Sequence, residues 1–91
     1  MIFPLSYDAT TSREDFVRLL PAASNDPTLR ETVDGFAGQG WSVRLVALAP
    51  LVIGSVRLER HRVDLQFEGM SEAERDRFMQ RFTHHYQRGG G

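Results

Sequence analysis

Apolar and polar residues alternate between Trp41 and Phe67, and this two-residue period constrains the fold more than any other feature of the chain. Successive side chains of a strand point to opposite faces, so each alternating run predicts a strand with one apolar and one largely polar face. The runs cover residues 41–48, 52–59 and 62–68, with connections at Ala49-Pro50 and Arg60-His61. They predict an antiparallel sheet that is covered on one face only.

Two further segments have the spacing of amphipathic helices. The first begins after Ser12, whose hydroxyl can accept from the amide of Asp15. We expect it to end or kink at Pro21, because proline cannot donate and disfavours helical geometry in the residue before it. The second begins with a capping box formed by Ser71 and Glu74 and continues to the glycine tail.

The remaining segments are less regular. Residues 2–6 predict a short first strand and residues 7–11 a polar loop. Residues 28–36 favour a strand through Thr32, Val33 and Phe36. The alternative for this segment is a helix over residues 27–34, since Asp26-Pro27 can start one.

These elements combine into an α+β fold, a two-layer sandwich. We expect a mainly antiparallel sheet of four or five strands with two helices on one face, in the order β-α-β-β-β-β-α. Residues 1–88 form a single domain and residues 89–91 a flexible glycine tail. The predicted core comprises Trp41, Val43, Leu45, Val56, Leu58, Val63, Leu65 and Phe67 from the sheet, with Phe16, Leu19, Leu20, Phe78, Phe82 and Tyr86 from the helices.

Composition excludes several classes of chemistry. The chain has no cysteine, which excludes disulfides and thiolate chemistry, and all eleven of its basic residues are arginine, which excludes Schiff-base lysines. A net charge of −1 argues against a nucleic-acid partner. Apolar runs fall far short of the roughly 20 residues that span a bilayer, and the N-terminus has no apolar segment long enough for a signal peptide, so we expect no membrane association and a cytoplasmic protein. The exclusive use of arginine is typical of a GC-rich bacterial genome, so we expect a bacterial protein. We expect neither a cofactor nor a metal, because neighbouring histidines such as His84 and His85 point about 100° apart on a helix.

The polar face of the predicted sheet is the first candidate site. Val46, Leu48 and Ile53 make one end of it apolar, beside a cluster of arginines. Such a patch is typical of a contact surface, so the favoured function is a non-catalytic protein that binds another protein or a second copy of itself. The alternative is a solvated face with weak ion pairs. Its predicted polar residues are Arg44, Ser55, Arg57, Glu59, Arg62, Asp64, Gln66 and Glu68.

A second candidate lies at the predicted turn around His61. Arg57, Arg60 and Arg62 could bind a phosphate or another small anion there with Arg44, since arginine forms bidentate hydrogen bonds to such groups. In an enzyme subunit His61 could then act as acid or base. The alternative is a charged turn that keeps the hairpin soluble, and we find no nucleophile that would complete a catalytic site.

The tail Arg88-Gly89-Gly90-Gly91 resembles the end of ubiquitin and the small sulfur-carrier proteins. Met1-Ile2-Phe3 could similarly begin a strand of that fold. The resemblance implies a carrier whose C-terminal carboxylate becomes activated, which is a remote alternative function. The long helical pattern before the tail departs from that family, in which a strand precedes the tail.

Overall fold

The computed structural model describes residues 5–88, and the predicted glycine tail and most of the predicted first strand lie outside that range. The elements are β1 (Ser6–Ala9), α1 (Arg13–Ser24), β2 (Arg30–Glu31), β3 (Gly35–Gly38), β4 (Trp41–Ile53), β5 (Val56–Phe67) and α2 (Glu72–Arg88). The strands form one sheet in the order β1-β5-β4-β3-β2, and every pair is antiparallel. The α+β class and the order β-α-β-β-β-β-α are therefore confirmed.

Strand β1 begins at Ser6 and occupies much of the segment predicted as a polar loop. That prediction is wrong because the segment itself alternates. Tyr7 and Ala9 pack against the core, whereas Ser6 and Asp8 are exposed. The strand pairs with β5 from Ser6 opposite Asp64 to Ala9 opposite His61.

The segment 28–36 contains strand rather than helix, as the sequence favoured, but it forms two short strands. Thr32 donates its amide to the carbonyl of Gly35, which closes a tight turn between them. Strand β3 is buried along its length and requires glycine at Gly35, because a Cβ there would collide with the carbonyl of Val43.

The three predicted strands between Trp41 and Phe67 are in fact two long ones. Strands β4 and β5 form a single hairpin whose turn is Gly54-Ser55, and both predicted connections lie inside strands. Gly54 has φ of 60°, which is the conformation that a two-residue turn of type II′ requires at its first position. The five-strand total is nevertheless as predicted, because one fewer strand here is balanced by the extra strand in segment 28–36.

A β-bulge at Ala49-Pro50 changes which residues of β4 share a face. Leu48 pairs with Arg60, but the next pair is Leu51 with Leu58, so β4 carries one extra residue between them. Pro50 cannot donate to a ladder, and a bulge is one of the positions where a strand tolerates it. The side chains of β5 alternate between the two faces along the whole strand, whereas the alternation in β4 shifts by one residue at the bulge.

Helix α1 does not end at Pro21, which was one of the two alternatives that the sequence predicted for this position. It continues to Ser24, where Asn25 in a left-handed conformation donates its amide to the carbonyl of Pro21. Leu20 and Ala23 are completely buried on either side of the proline, so packing of the last turn outweighs the missing hydrogen bond. The predicted caps are present: Asp15 donates its amide to Ser12, and Ser71 and Glu74 bond reciprocally.

Both helices cover the same face of the sheet, where a single hydrophobic cluster joins them to it. The predicted core is correct for the half of the hairpin nearest α2 and wrong for Val56 and Leu58, which are 52% and 37% exposed. Leu19 is only half-buried. The buried members of the cluster are Phe16, Leu20, Ala23, Phe36, Trp41, Val43, Val63, Leu65, Phe78, Met79 and Phe82.

Candidate interaction surface

The sheet has one face without helices, and the register determines which side chains it carries. Directly paired residues of antiparallel strands point to the same face. Val63 and Leu65 face the helices, so the even-numbered residues of β5 face away from them. Their partners in β4 lie on that uncovered face as well. Beyond the bulge, these partners are Leu51 and Ile53.

Six apolar side chains form a continuous strip at the far end of this face. Leu51 lies opposite Leu58, and Ile53 lies opposite Val56. These four residues are 41%, 37%, 61% and 52% exposed, respectively. We call this set of residues the apolar strip; its members are Val46, Leu48, Leu51, Ile53, Val56 and Leu58.

The apolar strip lies largely on a two-stranded ribbon that extends beyond the body of the sheet. Strand β3 pairs with β4 only as far as Arg44, and β1 pairs with β5 only from His61 onward. The ribbon from Leu48 to Ile53 is about 17 Å long at ~3.3 Å per residue. A two-stranded ribbon is marginally stable by itself in water, and its exposed apolar side chains make this part of the chain a candidate for burial.

Asp64 organises the charged part of the uncovered face. Its carboxylate accepts hydrogen bonds from the Ser6 hydroxyl at 2.6 Å, from Arg44 at 3.1 Å and from Arg62 at 3.3 Å. The hydrogen bond from Ser6, that from Arg44 and the positive charge of Arg62 lower the pKa of Asp64. Asp64 therefore stays ionised and pairs with both arginines.

The other predicted site residues are positioned separately. Arg60 lies on the same face and bonds Asp8 at 3.5 Å. His61 faces the helix side, where its Nδ1 lies 2.8 Å from the carbonyl oxygen of Thr11. Arg57 also faces the helix side, together with Glu59. These two residues were predicted for the uncovered face, and that placement is wrong because β5 continues through His61 without a turn.

The five candidate residues do not form one cluster. Arg44 and Arg62 converge on Asp64, Arg60 binds a different carboxylate, and Arg57 and His61 lie on the opposite face. A small anion would have to displace these carboxylates from three of the arginines. The geometry therefore gives the predicted anion site no support.

Sequence reasoning placed Val46, Leu48 and Ile53 on this face but assigned Val56 and Leu58 to the core, because it drew one strand through Gly54-Ser55 and placed the turn at Arg60-His61. One signal could have located the hairpin correctly. Gly54-Ser55 is a two-residue loop with glycine first, flanked by runs of similar length, whereas Arg60-His61 has no turn chemistry. A continuous strand from Val56 to Phe67 then places Val56 and Leu58 on the face opposite Val63 and Leu65.

The opposite end of the molecule carries a cleft of about 620 Å³ between the end of α1 and the start of α2. Asp26 is beside it, but the carboxylate oxygens of Asp26 already accept from Trp41, from Gln39 and from the amide and hydroxyl of Thr28. The carboxylate has a structural role, since its hydrogen bonds connect the end of α1 to the β3–β4 turn.

Comparison with known proteins identifies no relative: no family model, no curated protein and no solved structure matches the chain. Neither described helix has the length and apolar character needed to cross a membrane. Within residues 5–88, the structure brings no three potential metal-ligating side chains of His, Asp or Glu together.

Proposed function

We propose that this chain is a non-catalytic binding protein that docks another protein on the uncovered face of its sheet. The apolar strip would form the centre of the contact, and the arginine–aspartate pairs around Asp64 would form its polar rim. The single observation that carries the proposal is the exposure of four paired aliphatic side chains on a ribbon without helical cover.

The arrangement matches the usual anatomy of a protein interface. Such interfaces have an apolar centre depleted of charge and a polar rim that stays accessible to water. Beyond the bulge the paired residues on this face are all apolar, while Arg60 and Arg62 lie opposite Leu48 and Val46 and so border the apolar strip.

Photo-cross-linking in the native host tests the proposal. A photoreactive amino acid replaces Ile53 on the apolar strip or, as a matched control, Val33, which is fully exposed in the β2–β3 turn. We expect position 53 to yield a discrete adduct with another protein and position 33 to yield none. Adding Leu51→Gln should abolish the adduct, because it inserts an amide into the centre of the contact.

Two results would contradict the proposal. One is equal labelling from positions 53 and 33, which would show that the apolar strip has no preferred partner. The other is an adduct that survives Leu51→Gln together with Leu58→Gln while circular dichroism shows the variant folded. Neither result depends on knowing the partner beforehand.

A further inference from the structure

Strand β5 has a free outer edge beside the ribbon. Strand β1 covers that edge only from His61 onward, so the edge of residues 56–60 has no partner among the described residues. Leu65 donates its amide to Leu5 on the β1 side. Alternate residues of a strand direct their backbone groups to the same edge, so Arg57 and Glu59 point their N–H and C=O groups out of the free edge.

The side chains on this edge are self-complementary. Arg57 and Glu59 are two residues apart on the same face, and neither forms an ion pair within the described part of the chain. In an antiparallel pair of two identical strands centred on Leu58, Arg57 lies opposite Glu59 of the partner subunit. The symmetry repeats this pair, so two opposite-charge pairs flank the axis.

We propose that the chain forms a two-fold symmetric dimer by antiparallel pairing of residues 56–60 of β5 with the same residues of a second copy. In this register the outward backbone groups of Arg57 and Glu59 meet those of the partner strand. Leu58 meets Leu58 of the partner subunit on the uncovered face. The inference rests on the proposed function, because the dimer joins two apolar strips into one four-stranded surface.

The other free edge of the ribbon is less suited to pairing. It belongs to β4 and contains Pro50, which has no amide to donate, and the bulge that interrupts its ladder. Prolines and bulges are devices that keep sheet edges from pairing. A membrane fits the ribbon less well than a second copy does, since residues 45–60 contain no aromatic side chain to anchor it and the arginines among them, Arg57 and Arg60, flank the acidic Glu59.

Dimerisation would also stabilise the ribbon. Two strands are marginal in water, whereas three or more strands with an apolar face are stable. A contact of five residue pairs buries less surface than the roughly 1,600 Å² of a standard interface, so we expect a dimer in exchange with its monomer.

Sedimentation velocity over a concentration series tests the dimer by charge reversal. Arg57→Glu and Glu59→Arg should each weaken dimerisation about tenfold, because each variant creates two like-charge pairs. The double variant Arg57→Glu/Glu59→Arg restores the opposite charges and should regain wild-type dimerisation. Arg75→Glu on the exposed surface of α2 is the matched control and should have no effect.

The inference is overturned if the wild-type chain is monomeric at all concentrations. It is overturned equally if the single reversals leave the dimer unchanged or if the double variant fails to recover, with circular dichroism showing that the variants fold. Cross-linking from position 53 then separates the two proposals. If an adduct with another protein persists in a monomeric variant, the proposed function stands without the dimer. If the dimer depends on these charges but no such adduct forms, the dimer stands and the proposed function is contradicted.

Discussion

Asp26 shows how one side chain can join three segments of this small fold. Burial by itself raises the pKa of Asp26, but hydrogen bonds from Thr28, Gln39 and Trp41 outweigh that effect and lower the pKa to about 2. The unfolded chain has the ordinary value of 3.8. The carboxylate therefore contributes stability above pH ~4, and this contribution is lost as the pH falls towards 2.

We expect Asp26→Asn to reduce the free energy of unfolding at neutral pH by about 1.5–3 kcal/mol, the range for hydrogen bonds to a charged group. The variant should also lose less stability than the wild type between pH 5 and pH 2.5 (approximate bounds set by the two pKa values). Urea unfolding at both pH values measures this. A parallel loss of stability in both proteins would show that Asp26 does not titrate with folding.

Phe82 lies at the centre of the aromatic packing between the helices. It is 1% exposed, and its ring centroid lies 5.9 Å from that of Phe78 and 6.2 Å from that of Phe16. Phe82→Ala should cost about 3–5 kcal/mol of unfolding free energy through the cavity it leaves. Chemical denaturation measures the loss, and Val33→Ala in an exposed turn is the control. A loss below about 1 kcal/mol would mean that another face of α2 is buried.

At the scale of elements, the ribbon differs from the rest of the hairpin to which it belongs. The inner half of β4 and β5 packs under two helices, while the outer half has neither helices nor neighbouring strands in the described structure. Segments with few buried contacts open locally at lower free energy than the core. We therefore expect the ribbon to exchange its amide hydrogens through local opening.

Gly54→Ala should increase this local opening, because the added side chain destabilises the folded ribbon and not the open one. A side chain at φ 60° is strained by about 1–2 kcal/mol, although nothing lies within 4 Å of the added methyl group. Hydrogen exchange at Val56 and Leu58 should accelerate by about tenfold, whereas exchange at Val63 and Leu65 should not change under conditions where these two amides exchange without opening of the ribbon. Ser55→Ala is the control. Uniform acceleration along β5 would show that the hairpin unfolds as one unit.

The sequence predicted the elements with regular periodicity and strong caps, and it failed where two physical effects compete. The inner halves of β4 and β5, both helix starts and the capping box of α2 were predictable from local spacing alone. Pro21 was not, because burial of Leu20 and Ala23 compensates for the hydrogen bond that the proline lacks. The uncovered face was predicted with Arg44, Val46, Leu48 and Ile53 on it, but Val56 and Leu58 were assigned to the core, because the sequence pattern was taken as one strand through Gly54-Ser55.

At the scale of the whole molecule, the first and last helices meet and close the core. The Tyr86 hydroxyl donates to the carbonyl of Phe16 at 2.7 Å, and the two rings stack with centroids 4.5 Å apart. Burial, together with the proximity of Tyr7, raises the pKa of Tyr86. Helices that share one cluster with the sheet should not melt separately from it.

We accordingly expect a single cooperative transition in urea for the body of the protein. Trp41 is the only tryptophan and is 4% exposed, so its fluorescence reports on the sheet, while circular dichroism at helical wavelengths reports on both helices. The two curves should coincide in the wild type. Tyr86→Ala should move both to lower urea by the same amount. Helical signal lost ahead of the fluorescence change would indicate that the helices form a separate unit.

The bulge at Ala49-Pro50, where the side-chain alternation of β4 shifts by one residue, has a consequence for how the sequence of this protein can change. In the inner half of the hairpin, every second side chain packs in the core, so substitutions there are limited by the volume available. In the outer half no side chain packs in the core of the described structure, so substitutions there are limited only by contacts outside this fold. The outer end of the hairpin can therefore change its sequence while the inner half, which holds it in place, keeps its own packing.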